Sequence, residues 1–246
     1  MKGITFGSYH SYDDLNLILT GKEIGSPEVK SMKIDLPGAD SALDMTEAFG
    51  EPKYEDVTHK FEFATLAPYR EFPSVYSRIK NLIHGKKMRI ILDDDPLYAW
   101  VGRCYVTKFT NEKTVGIISV ECDCEPYKYR IAKTVVTQAV NGTAAITLTN
   151  GRKRAVPEVN IETDGSLRIE FGTGNVWDLG SGSYTLPELE LAQGENVVTV
   201  TGTGTITFTW QEGERDVQGI LRRSSALPQW AGQPANRKPE SGAGGQ

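Results

Sequence analysis

Cysteine is scarce in this sequence, with three residues in 246. So sparse and odd a set cannot supply the paired framework that staples small secreted domains, and reduced thiols are expected. Histidine is equally rare, and His10, His59 and His84 form no metal-ligand spacing with Cys104, Cys122 or Cys124. No apolar run reaches the length of a bilayer crossing, and none follows Lys2 as in a secretory leader. The expectation is a soluble protein made in a cytoplasm, without membrane insertion. A basic excess is missing too. The net charge is -5 with both signs interspersed, which argues against a face that grips phosphates and hence against specific nucleic-acid binding.

The local hallmarks of catalysis are also absent. Neither a nucleophile with its base nor a pair of carboxylates in a recognisable motif can be found. Gly172-Thr173-Gly174 and Thr201-Gly202-Thr203-Gly204 lack both the following helix and the lysine of a phosphate cradle, so they read as turns. The run Asp93-Asp94-Asp95 offers carboxylates for a divalent cation, but without the glycine and glutamate positions of a calcium loop it reads first as a solvated hairpin turn. Catalytic residues, cofactors and metal ligands are therefore assigned to no position, and no enzyme is expected.

What is present is β pattern. Hydrophobic residues make up 39% of the chain, enough for one large core or two modest ones. Val29, then Met32, Ile34 and Leu36 before Pro37-Gly38, reads as a half-buried strand after one slip. Val57 to Thr65 alternates Phe61 and Phe63 with charges, a strand with one wet face. Cys122 and Cys124, two apart, point at one sheet face and read as small core residues, with a metal or redox pair as the alternative.

One helix stands out. It opens at Phe72-Pro73-Ser74, carries Val75, Ile79, Leu82 and Ile83 on one stripe, and stops at Gly85, with Lys86 and Lys87 near the negative end of its dipole. Then Met88 to Leu92 leads through the acidic turn and Pro96 into an aromatic strand from Leu97 to Val106, a hairpin.

After Arg130 the character changes to Thr, Gly, Asn and Val without helical periodicity. Asn141-Gly142, Asn150-Gly151, Asp164-Gly165 and Gly194-Glu195-Asn196 punctuate short strands such as Val159–Glu162, Leu167–Phe171, Asn196–Val200 and Thr205–Trp210, the mark of a β-sandwich or jelly roll. Trp177 and Tyr184 are glycan-contact candidates set against a core reading. The stretch from Gln218, rich in Pro, Gly and Ser, reads as a flexible tail that orders by docking Leu227 and Trp230 on a neighbouring subunit.

The ordered segments go further. Tyr12-Asp13-Asp14-Leu15-Asn16-Leu17-Ile18-Leu19, Leu36-Pro37-Gly38-Ala39-Asp40 with Leu43-Asp44, Tyr54, the helix and the Asp93-Asp94-Asp95-Pro96 hairpin together resemble the distal tail protein family of long-tailed phages, over about residues 1 to 130. The resemblance implies a mostly β protein in two domains. Residues 1–130 would be a β-sandwich-like, ring-forming domain with one α-helix and a long hairpin, and 131–217 a galectin-like, jelly-roll β-sandwich, with 218–246 as the tail. It further implies a homo-hexameric ring at the virion tail tip, assembled in the bacterial host cytoplasm. Its partners would be the tail tube protein, a tail-associated lysin or adhesin hub protein and receptor-binding proteins, and DNA would pass the lumen without being read. A ring needs edges or hairpins that meet across subunits, and Asp93, Asp94, Tyr98 and Trp100 are the subunit-interface candidates. The competing reading is a carbohydrate-binding module that adheres to host cell-wall saccharide.

Overall fold

The computed structural model describes residues 3–48, 50–112 and 115–214, and the tail from Gln218 with Leu227 and Trp230 lies outside the described residues. Among the described residues the fold is mostly β, with one α-helix and two separate cores.

The first sheet is built from β1 (Ile4–Phe6), β2 (Tyr9–His10), β3 (Leu17–Glu23), β6 (Val57–Thr65), β7 (Lys86–Leu92), β8 (Tyr98–Glu112) and β9 (Val115–Arg130), with β4 (Lys33–Ile34) and β5 (Leu43–Asp44) standing apart as a two-stranded sheet. Strand order is β2-β1-β7-β8-β9-β6-β3, with every pairing antiparallel. Strict alternation along β6 buries Val57, His59, Phe61, Phe63 and Thr65, and the same period of two along β9 buries Ile118, Val120, Cys122 and Cys124. β1 and β6 are separated by three strands, which in a flat sheet would hold them about 19 Å apart at the usual strand spacing. Yet Phe6 meets Phe61 and Phe63 edge-on, at 6.2 and 5.9 Å between ring centroids. The sheet therefore curls until its concave face closes on one core.

Helix α1 (Phe72–Ile83) covers that core with Phe72, Ile79 and Ile83 buried and Val75 and Leu82 half-buried, the stripe expected from spacing. Pro73 sits in its first turn, where the missing N–H costs nothing. Gly85, at φ +77°, ends it, and the Lys86 ammonium donates to the Asn81 carbonyl at 2.9 Å, satisfying one of the last-turn acceptors.

The second sheet contains β10 (Thr134–Asn150), β11 (Glu158–Glu162), β12 (Leu167–Phe171), β13 (Asn175–Leu179), β14 (Gly182–Thr185) and β15 (Gly194–Trp210). β10 and β15 pair along their whole lengths. On its other side β15 pairs first with β12, up to Thr201, and then with β11, from Thr205. Two readings are corrected here. Asn141-Gly142 and Thr201–Gly204 are not chain-reversing turns, because the ladder runs through them with Gly142 directly opposite Gly202. Their positive φ values, +96° and +137°, bend two continuous strands together, and one core then unites Val198 and Val200 with Ile206 and Phe208 from the two halves of β15. A Cβ on Gly202 would lie 2.9 Å from the Ser166 carbonyl oxygen and 2.8 Å from the Leu167 side chain. By contrast, Asn150-Gly151, Asp164-Gly165 and Gly194 do mark strand ends.

The chain then returns. β16 (Gly213–Glu214) pairs with the end of β9 at Tyr129 and Lys128, while Arg130 N–H donates to Glu212 O at 3.0 Å and Lys153 N–H to Gly213 O at 2.8 Å, so both sheets are laced together where β9 passes to β10.

A third correction concerns residues 29–36, which form no half-buried strand. Val29 makes a single bridge to Tyr54, only Lys33–Ile34 pairs with Leu43–Asp44, and the apolar side chains lie open. The alternation is real, but among the described residues neither core takes that face in.

Candidate functional site

Between β3 and β6 the chain makes a two-stranded arm. It is held by the Val29–Tyr54 bridge, by Lys30 N–H to Lys53 O and Met45 N–H to Met32 O (2.8 and 2.7 Å), and by the β4–β5 pair. Thr46 N–H donates to the Asp44 carboxylate at 2.9 Å, and the Thr46 hydroxyl, followed by this N–H, lowers the pKa of Asp44. At the tip Gly38 takes φ +87°. Val29, Met32, Ile34, Leu36 and Leu43 are each 41–47% exposed and belong to neither core. An isolated two-stranded ribbon is marginal in water, and clustered exposed apolar side chains mark an interaction surface. Sequence reading missed this site. Its signal was the alternation itself, which reports a face that needs cover without saying what supplies it.

The base of the arm is fixed to both sheets. Arg154 bridges Glu51 and Glu190, each at 3.1 Å, and Tyr54 meets Tyr127 edge-on at 6.2 Å. Its hydrogen bonds to Glu51 and Glu190 raise the Arg154 pKa further. A cleft of about 490 Å³ opens beside α1, walled by Leu15, Leu66, Pro68, Val75 and Ile79, with Glu71 and Arg78 on its polar side. Leu66 there is half exposed, at 52%.

The structure brings Asp93 and Asp94 into the turn between β7 and β8, but their carboxylates diverge. Asp93 accepts from Gly3 N–H at 2.6 Å and lies 3.2 Å from His10 Nε2, Asp94 pairs with Lys22, and Asp95 pairs with Lys128 at 2.6 Å. Tyr98 is half-buried with the Lys128 ammonium 4.8 Å above its ring, whereas Trp100 is buried, 4.8 Å from the ring of His59. What this turn presents outward is therefore the Asp93 and Asp94 carboxylates and Leu97, which is 66% exposed. His59, inside the curled sheet, accepts from Gly25 N–H at 3.2 Å.

At the passage between the sheets, Lys87 pairs with Glu125 at 2.8 Å, the Tyr129 hydroxyl donates to Glu125 at 2.7 Å, and the Lys153 ammonium donates to the Tyr129 oxygen. Burial works against the charge on Glu125, but the bonds from Lys87 and Tyr129 outweigh it and hold that carboxyl below its ordinary pKa. Burial and the Glu125 bond push the Tyr129 hydroxyl up, and burial draws Lys153 down against the pull of Glu125.

In the second sheet Trp177, opposite Ile169, and Tyr184, opposite Val159, are half-buried against the core, and the Tyr184 hydroxyl donates to Gly180 O at 3.2 Å. Neither lines the open polar hollow formed by Glu162, Thr163, Asp164, Ser181 and Thr203 to Thr205. Among the described residues, no group of three or more His, Cys, Asp or Glu side chains is placed to hold a metal ion. Cys104 and Cys122 face each other across β8 and β9 with 3.0 Å between sulfurs, and Cys124 lies beside Gly102.

No family model matches the chain, and no curated protein matches it. A solved structure does. The SPP1 Dit protein (gp 19.1), a paradigm of the hub adsorption apparatus in phages infecting Gram-positive bacteria, superposes with a TM-score of 0.65 over 86% of this chain and 99% of its own, at 12% identity. The chain shares the fold of a phage hub protein. The matched 86% of this chain is too large a share to leave out either sheet.

Proposed function

We propose that the chain is the distal tail protein of a phage. Residues 1–130 form the ring-building domain, 131–217 a galectin-like domain, and six copies make a ring at the virion tail tip. The ring joins the tail tube to the tip and is the hub for a tail-associated lysin or adhesin and for receptor-binding proteins. DNA passes through its lumen, and the protein performs no catalysis of its own.

The observation that carries this reading is the uncovered apolar arm on a Dit-like fold. A cyclic ring repeats one head-to-tail contact, so one chain must carry two different complementary surfaces. The arm, with Ile34, Leu36 and Leu43, supplies one. The cleft beside α1, with Leu66 at its mouth, supplies the other. Burying the arm of one copy in the cleft of the next removes from water the apolar surface that the isolated chain leaves open.

The test is light scattering and negative-stain microscopy of the full chain, of Ile34→Asp with Leu43→Asp, and of Leu66→Asp. All three sites are exposed, so the variants keep their circular dichroism spectra. Six-fold rings from the wild type and monomers from both variants are expected. A wild type that stays monomeric at high concentration, with no ring in tails, overturns the reading.

A further inference from the structure

We propose that the outer edge of β10 is a self-association site, at which a second copy of this chain adds its own β10 as an antiparallel strand. β10 is 17 residues long and, among the described residues, pairs only with β15. Among the described residues, no backbone group outside β15 bonds to it.

The molecule blunts its other edges in the usual ways. β2 is two residues long, β3 carries Lys22, Glu23 and a register shift after Leu19, β13 is five residues with Asp178, and β14 is four. β10 has none of these devices, since it contains no charged residue and no proline from Thr134 to Asn150. A long uncharged edge left open is a template for another strand.

The edge itself names its occupant. Main-chain donors and acceptors in a row specify a β-strand, and a strand without charges can lie against its own copy without like-charge repulsion. Threonine facing threonine is already how the β10–β15 pair satisfies its outer surface, with hydroxyl pairs at 3.0 Å (Thr137–Thr207) and 3.1 Å (Thr143–Thr201). The arm from Thr143 to Asn150 is the better template of the two halves. Its alternation is regular, with Ile146 and Leu148 locked in the core while Ala145, Thr147 and Thr149 face out. Antiparallel pairing about a two-fold axis at Thr147 places each Thr147 opposite its twin. This contact is two-fold, unlike the head-to-tail contact of a ring, and it stands whether or not the ring forms.

The experiment is sedimentation velocity on the full chain, on Thr147→Lys, on Thr147→Glu and on an equimolar mixture of the two variants. Thr147 is exposed, so the fold is retained, as circular dichroism checks. Each variant alone is expected to associate at least about tenfold more weakly than the wild type, because like charges meet across the axis, and the mixture is expected to regain association. Ile34→Asp leaves this contact intact, which separates it from the ring contact. Two results overturn the proposal: a two-fold association equally strong in Thr147→Lys, or a full chain with no association that responds to Thr147. The second would mean that the edge is covered by the chain's own carboxyl-terminal segment or by another protein.

Discussion

Lys22, on edge strand β3, forms an ion pair with Asp94, in the turn that follows β7. β3 ends the first sheet's order and is separated from β7 by three strands, so the pair reaches across a sheet already curled by Phe6 against Phe61 and Phe63. Both side chains remain partly exposed, and such pairs contribute on the order of 0.2–1 kcal/mol. Fully buried aromatic anchors contribute several times more, about 3–5 kcal/mol when cut to alanine. Chemical denaturation of Phe6→Ala should show a loss of that size, while a Lys22/Asp94 double-mutant cycle should give a coupling below about 1 kcal/mol. A coupling larger than the Phe6 loss would mean that the charge pair, not the core, holds the curl.

The bend of the paired strands β10 and β15 makes an asymmetric prediction about their two facing glycines. Both take positive φ, but only Gly202 also has the Ser166 carbonyl and the Leu167 side chain within 3 Å of a new Cβ, while Gly142 faces open space. Gly142→Ala should cost on the order of 1 kcal/mol for backbone strain alone. Gly202→Ala should cost measurably more in the same urea titration, and equal losses would show that the close approach is not felt.

Glu125 sets a pH dependence. Its folded pKa lies below the unfolded value, so its contribution is present above the ordinary glutamate range and is lost as pH falls through the depressed folded pKa. Thermal unfolding should therefore show the wild type more stable than Glu125→Gln at neutral pH, with the difference shrinking on acidification. A difference that grows toward low pH would contradict the assignment.

The three thiols should be silent in the native chain. The bond to Cys104 and then burial push the Cys122 thiol far up, and burial does the same to Cys124, so neither offers the thiolate that reacts. Thiol-reactive dye at neutral pH should label none of the three until denaturant is added, and then all three. Rapid labelling of the native protein would show that the β8–β9 core opens.

Local signals were read correctly where the chain itself supplies the partner. Pro73, the Ile79 and Ile83 stripe and Gly85 are contiguous and fix α1, and the acidic run fixes the β7–β8 turn. The readings that failed depended on distant partners. A Gly within Asn141-Gly142 or Thr201–Gly204 reports positive φ, which serves a bend in a continuing strand as well as a reversal. The parity that buried Phe61 and Phe63 also buried His59, and it was open to reading in Val57-Thr58-His59. The return of β16 to β9 rests on two residues, Gly213 and Glu214, too few to carry a pattern. Of the four residues expected at a subunit contact, Trp100 is turned inward against His59, and the arm, whose alternation is that of a half-buried strand, leaves its apolar side chains open. Alternation in the arm could not distinguish a face covered within the chain from one covered by another molecule.

The central claim is that six copies assemble through that arm. The most direct measurement is the symmetry and mass of the particle formed by the full chain, compared with the Ile34→Asp, Leu43→Asp double variant. Six-fold rings that disperse to monomers in the variant are the predicted result. Rings unchanged in the variant, or a wild type with no six-fold particle at any concentration, would contradict it.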